Sequence, residues 1–155
     1  MSRKETDSVA DVTERELVIT RLFDAPRENV WKAWTEPERL MRWWGPRGFV
    51  SPGCEIDLRP GGAWRVRMHP ATGDDLVAGG VYREIVVPER LVFTYVWEHD
   101  PFYETLVRLT FADQGGKTLF TFYQGAFRSV ESRDDHRGGW TESLDMLGEY
   151  LAAER

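Results

Sequence analysis

The sequence predicts an α+β domain in which one long C-terminal helix lies across a curved antiparallel sheet. Three observations predict it. Between residues 49 and 124, six segments alternate apolar and polar residues and are separated by short turn signals. Near the end the period changes: Trp140, Leu144, Leu147 and Leu151 fall at i, i+4, i+7 and i+11, one stripe of an amphipathic helix. Between a first strand and those six segments stand two short helical patterns, giving the order β-α-α-β6-α.

The elements follow in chain order. Residues 1–11 are polar and without periodicity and are expected to form a tail, leaving residues 12–155 as one domain. Residues 13–23 read as a strand rich in β-branched residues, stopped by Asp24-Ala25-Pro26. Proline suits the first turn of a helix, and Val30, Ala33 and Trp34 give residues 26–34 one apolar face, with Trp31 off that face and expected to be exposed. Thr35-Glu36-Pro37-Glu38 has the spacing of a capping box and predicts a second helix over residues 37–43, ended by Trp44-Gly45-Pro46. The six strands are expected at residues 49–58, 63–69, 76–87, 91–97, 105–111 and 117–124. Their connections, such as Arg59-Pro60-Gly61-Gly62 and Asp113-Gln114-Gly115-Gly116, are too short for anything but hairpins, so the sheet is antiparallel. The last helix begins between residues 129 and 134 and contains Gly138-Gly139, where each glycine costs roughly 1 kcal/mol relative to alanine. Such a pair marks close contact with the sheet or a kink.

Composition narrows the function classes. The 155 residues suit one domain, and 41% hydrophobic and 13% aromatic content supports a substantial core. The net charge of -6 and the absence of a Lys/Arg cluster argue against a nucleic-acid partner. No apolar run approaches the roughly 20 residues of a membrane span, and the N-terminus lacks the apolar segment of a signal peptide. The single cysteine, Cys54, allows no disulfide within the chain, and a cytoplasmic location is expected. His69, His99 and His136 have no metal-ligand spacing. The chain contains no HExxH, CxxC, GxGxxG, Walker or GxSxG pattern, so neither metal nor cofactor is expected and no recognised catalytic constellation is present.

The stretches FDAPRENVWKAWTEPERLMRWWGP, DLRPGGAWRVRM, GGVYREIVVPERLVFTYVWE, LTFADQGGKTLFTF and GWTESLDMLGEYL together resemble the family related to the C-terminal domain of the activator of the heat-shock-protein-ninety ATPase. That family belongs to the START-like, helix-grip (SRPBCC) superfamily, and the resemblance runs from about Leu17 to the C-terminus. It implies a helix-grip fold and a cavity between sheet and helix suited to a small apolar molecule, aromatic or lipid-like.

The candidate lining follows from strand and helix phase. From the helix side it comprises His136, Trp140 and Leu144. From the sheet side it comprises Trp64, Met68, Tyr82, Phe93, Tyr95, Trp97, Phe120, Phe122 and Gln124, with Trp44 from the segment after the second helix. The same residue types fill a packed core, so the sequence leaves open whether a cavity exists. Arg65, Arg67 and Arg108 alternate with apolar neighbours and are expected to face solvent. Two other functions compete with ligand binding. One is a cyclase- or hydrolase-type enzyme using Glu84, Gln124 and His136 as its polar groups. The other is an interaction domain that modulates a chaperone ATPase, a reading weakened because the namesake's N-terminal domain has no room here. Homodimerisation through exposed aromatics is left open.

Overall fold

A computed structural model describes residues 11–154, so the tail expected over residues 1–11 lies outside the described residues apart from Asp11. A 3-10 turn at Thr13–Arg15 precedes β1 (Leu17–Phe23), α1 (Arg27–Thr35) and α2 (Pro37–Leu40). Six strands follow: β2 (Val50–Ile56), β3 (Ala63–His69), β4 (Leu76–Val86), β5 (Arg90–Trp97), β6 (Asp100–Gln114) and β7 (Lys117–Gly125). The chain then forms α3 (Val130–Ala153). All seven strands make one antiparallel sheet in the order β1-β7-β6-β5-β4-β3-β2. This is the α+β helix-grip architecture read from the sequence.

The topology explains where the interior lies. Hairpins carry the chain stepwise from β2 to β7, and β1 returns to pair with β7. The two short helices therefore take the chain from one edge of the sheet to the other. Register shifts in the β2–β3, β4–β5 and β5–β6 pairs bend the sheet, as bulges do. The β6–β7 turn is Gly115-Gly116, at φ +62 and +89, which suits the primed turn of a tight hairpin. Ser129 caps α3, its hydroxyl accepting from the Ser132 N–H at 3.0 Å. Leu144, Leu147 and Leu151 on α3 are buried with Leu17, Phe111, Phe120 and Phe122 of the sheet, forming one continuous core.

Several local expectations are corrected. The first strand begins at Leu17, because the N–H of Arg15 bonds the Val12 carbonyl at 2.9 Å and closes the 3-10 turn. The capping box does not form: the Thr35 hydroxyl donates back to the Trp31 carbonyl at 2.9 Å, and Glu36 caps α2 without a side-chain bond. The second helix stops at Leu40 rather than residue 43, where the Arg42 and Trp43 N–H groups bond three residues back, to Arg39 and Leu40. Trp31 is buried, its ring edge-on to Phe111 at 5.3 Å, because β6 reaches under the outer side of α1. The fifth strand of the six extends back to Asp100 through a polar, Pro-containing stretch that carries no alternation signal. Arg65, Arg67 and Arg108 face solvent, Arg65 paired with Glu98 at 2.7 Å.

One glycine in the sheet is fixed by a close approach. Gly80 stands opposite Trp64, whose indole N–H crosses it to reach the Thr94 carbonyl at 3.0 Å. A Cβ at Gly80 would lie 1.9 Å from that carbonyl oxygen. The Thr94 hydroxyl also accepts the Val81 N–H at 2.8 Å, and Thr94 is buried. Gly80→Ala is expected to destabilise the domain by roughly 2–3 kcal/mol, read as a lower urea midpoint at unchanged slope.

Candidate functional site

The site is a cavity of about 340 Å³ beside the N-terminal half of α3. Its helix wall is Asp135, His136, Gly139, Trp140 and Ser143, and its sheet wall is Met68, Leu76, Tyr95, Trp97 and His99. Trp44, Gly45, Pro46 and Phe49 of the loop after α2 form the third side. A second cavity of about 290 Å³ adjoins it, with polar lining residues that include Arg15 of the 3-10 turn, Asp100 and Glu104 of β6, Gln124 of β7 and Arg128 of the β7–α3 connection. Tyr95, Trp97 and His136 line both and form the shared wall.

Trp140 holds α3 at this distance from the sheet. Its indole N–H donates to the Gln124 side-chain oxygen at 2.8 Å, and the Gln124 amide donates to the Thr105 hydroxyl at 2.9 Å. Its ring lies 4.5 Å from Phe122 and 5.2 Å from Trp44. Gln124 is fully buried, so this amide is satisfied by its neighbours rather than left for another role. The loop wall is tied to the helix by the Arg47 N–H to Glu142 at 3.1 Å and by an exposed Arg47–Glu149 ion pair at 2.5 Å. Gly45, at φ +104, lets the chain turn tightly against Met68 and Phe49.

His136 is held in one tautomer. Trp97 donates its indole N–H to His136 Nε2 at 3.0 Å, so Nε2 is unprotonated. The proton sits on Nδ1 and is donated to the Ser132 carbonyl at 2.8 Å. Burial pushes the imidazole below its ordinary value of 6.5, outweighing the Ser132 carbonyl and Asp135, which act the other way. Both ring nitrogens are therefore engaged in the neutral state.

The sequence-chosen residues divide into three groups. Trp44, Met68, Tyr95, Trp97, His136 and Trp140 line the first cavity, and Gln124 lines the second. Trp64, Tyr82 and Phe93 instead surround a gap of about 10 Å³ behind Trp44. Phe120, Phe122 and Leu144 are fully buried core and line neither cavity, because α3 packs directly on the sheet at their level. Glu84, the candidate acid or base, is on the outer surface and paired with Arg90 at 2.7 Å, which holds its carboxyl below the usual range. The structure thus does not bring Glu84 together with Gln124 and His136.

Phase reasoning missed the loop residues Gly45, Pro46 and Phe49, and Leu76, His99, Asp135, Gly139 and Ser143. The Gly138-Gly139 pair was the available signal. Its close neighbour is not the sheet but Pro46, whose Cγ would lie 3.7 Å from a Cβ at Gly139. Among the described residues no three His, Cys, Asp or Glu side chains form a metal-ligating group, and no helix is long and apolar enough to cross a membrane. The half-buried Cys54 thiol is pushed up to about 12 by burial and stays protonated.

A curved antiparallel sheet gripping one long helix, with an aromatic cavity between them, defines a helix-grip protein of the START-like class. The model of the family described as Activator of Hsp90 ATPase homolog 1-like protein matches residues 24–152, and the chain belongs to that family. A crystal structure of a Chromobacterium violaceum protein is 26% identical over 88% of this chain and 96% of its own, at a TM-score of 0.81. The AHSA1 protein of Silicibacter pomeroyi is 25% identical over 90% of this chain and 99% of its own, also at 0.81. A solution structure of an Arthrobacter aurescens protein, 24% identical over 93% of this chain and 90% of its own, shares the fold at 0.81. No curated protein matches the chain.

Two predictions follow from the polar bonds of the site. Trp140→Phe keeps a ring but strands the Gln124 oxygen, and is expected to cost about 1–3 kcal/mol in chemical denaturation, part of it recovered in the double variant with Gln124→Leu. Because the folded state lowers the His136 pKa, the unfolded chain binds the proton more readily. The stabilisation by neutral His136 is complete above the ordinary 6.5 and is lost as pH falls below it. In His136→Gln, the fall of Tm between about pH 7 and 5 is expected to be shallower than in the parent.

Proposed function

We propose that the protein binds a small, largely apolar molecule, aromatic or lipid-like, in the cavity between the sheet and the last helix. The observation that carries this reading is the cavity itself. Its volume of about 340 Å³ falls within the range of small-molecule sites, and five aromatic rings, Trp44, Phe49, Tyr95, Trp97 and Trp140, wall it. A domain of this size with no use for such a space would gain stability by filling it, since each unfilled methylene-sized void costs on the order of 1 kcal/mol. Gly139 supports the reading further: a larger residue there would gain helix propensity and fill space, yet glycine occupies the position and keeps the wall open. The fold of the family, which commonly holds hydrophobic ligands, agrees with this use of the cavity.

Titration with flat apolar compounds such as naphthalene is expected to quench or shift tryptophan emission and to raise Tm. Gly139→Leu is expected to abolish the response while leaving Tm equal or higher, because the side chain occupies the cavity and removes a helical glycine worth roughly 1 kcal/mol. A parent protein that responds to no compound of such a panel would overturn the reading.

A further inference from the structure

Of the three indoles that line the cavity, Trp97 and Trp140 have their N–H groups engaged, as does Trp64 behind Trp44. Trp64 donates to the Thr94 carbonyl, Trp97 to His136 and Trp140 to Gln124. Ser143, the cavity's hydroxyl on the helix side, donates to the Gly139 carbonyl at 3.0 Å. The Trp44 indole N–H has no hydrogen bond with a described residue, and neither has the hydroxyl of Tyr95, a residue 3% exposed. A buried tyrosine normally finds a partner for that group. Among the described residues, Trp34 Nε1 is the unpaired polar side-chain atom that is sealed inside the protein. The Tyr95 hydroxyl, unpaired as well, is not sealed off, and Tyr95 borders both cavities. Burial raises its pKa far above the ordinary 10.0, so it remains a phenol with a proton to donate.

The charges nearby limit what it can meet. No Lys or Arg lines the first cavity; Asp135 and His99 line it as exposed residues, and His136 is neutral with both nitrogens engaged. In the second cavity Arg128 is paired with Asp100 at 2.5 Å, Arg15 donates to the Phe127 carbonyl at 2.8 Å, and Glu104 adds a further negative charge. A carboxylate or phosphate drawn into the first cavity would lose its water beside Asp135, with no Lys or Arg on the wall to replace it. An uncharged oxygen needs only one donor.

Resting on the reading that the first cavity holds an apolar molecule, we propose that Tyr95 sets its specificity: the Tyr95 hydroxyl donates a hydrogen bond to an uncharged carbonyl oxygen on a small, flat ligand, and anionic analogues are rejected.

The test uses the full chain and Tyr95→Phe, titrated calorimetrically with naphthalene, 2-acetylnaphthalene and 2-naphthoate. The ketone is expected to bind the parent about tenfold tighter than naphthalene, and the carboxylate more weakly than either. In Tyr95→Phe the ratio of ketone to naphthalene affinity is expected to fall from about tenfold to about twofold or less. Since the hydroxyl bonds nothing inside the protein, the variant keeps its fold. A shift of the bound ketone's carbonyl stretch to lower wavenumber in the parent gives a reading that needs no variant. If naphthalene binds but the ketone has no advantage, or keeps it in Tyr95→Phe, the role of Tyr95 is overturned and the cavity reading stands. If no compound binds, both fall.

Discussion

The bond between the Trp140 indole and the Gln124 side chain, 2.8 Å long and buried, is the constraint on which the interior depends. A helix laid on an apolar sheet by hydrophobic contact alone would settle as close as its side chains allow, since burial is favourable and undirected. A hydrogen bond has a length and a direction. This one fixes Trp140 on α3 against β7, and Thr105 of β6 fixes Gln124 in turn. Below that point Leu144, Leu147 and Leu151 reach the sheet and the core is closed. Above it the helix and sheet part, and the space between them is the cavity.

The loop after α2 completes the enclosure, and its residues are the ones with unusual local demands. Gly45 takes a backbone conformation that favours glycine, Pro46 rests against Gly139, and Arg47 is anchored to Glu142 on the helix. Each of these is a polar or conformational device rather than a hydrophobic one. The cavity is therefore a structure held open by specific bonds along its margins.

The sequence made the fold legible because the sheet and the last helix obey simple periods. β3 was readable to the residue, since Trp64, Val66 and Met68 alternate with arginines that must stay wet. The placement of the cavity was half legible. Strand phase identifies which side chains point inward but not how far along the helix the two layers separate, so Phe120, Phe122 and Leu144 were grouped with Tyr95 and Trp140 although they lie in the closed core. Loop residues carry no period, which is why Gly45 and Pro46 are invisible, while Phe49, read as the start of a strand over residues 49–58, lies in the loop because that strand runs only over Val50–Ile56. Trp31 was misplaced for a related reason: the face of a nine-residue helix is read against one partner, and α1 has β6 on a second side. The Thr35 hydroxyl illustrates a competition that spacing cannot decide, because a threonine at a helix end can cap the next helix or bond back into its own.

The aromatic rings behind the cavity have an optical consequence. Trp34 lies 4.7 Å from Trp43, 5.9 Å from Trp44 and 6.0 Å from Trp140, and Trp44 continues the chain of contacts to Trp64 at 5.9 Å. Indoles this close do not emit as separate chromophores: excitation passes among them faster than any one radiates. The cluster gathers light over the whole hydrophobic interior and releases it from whichever ring lies lowest in energy. Two of its members, Trp44 and Trp140, form the cavity wall, so the protein carries in its own core an antenna whose colour and brightness are set by what occupies the space beside it.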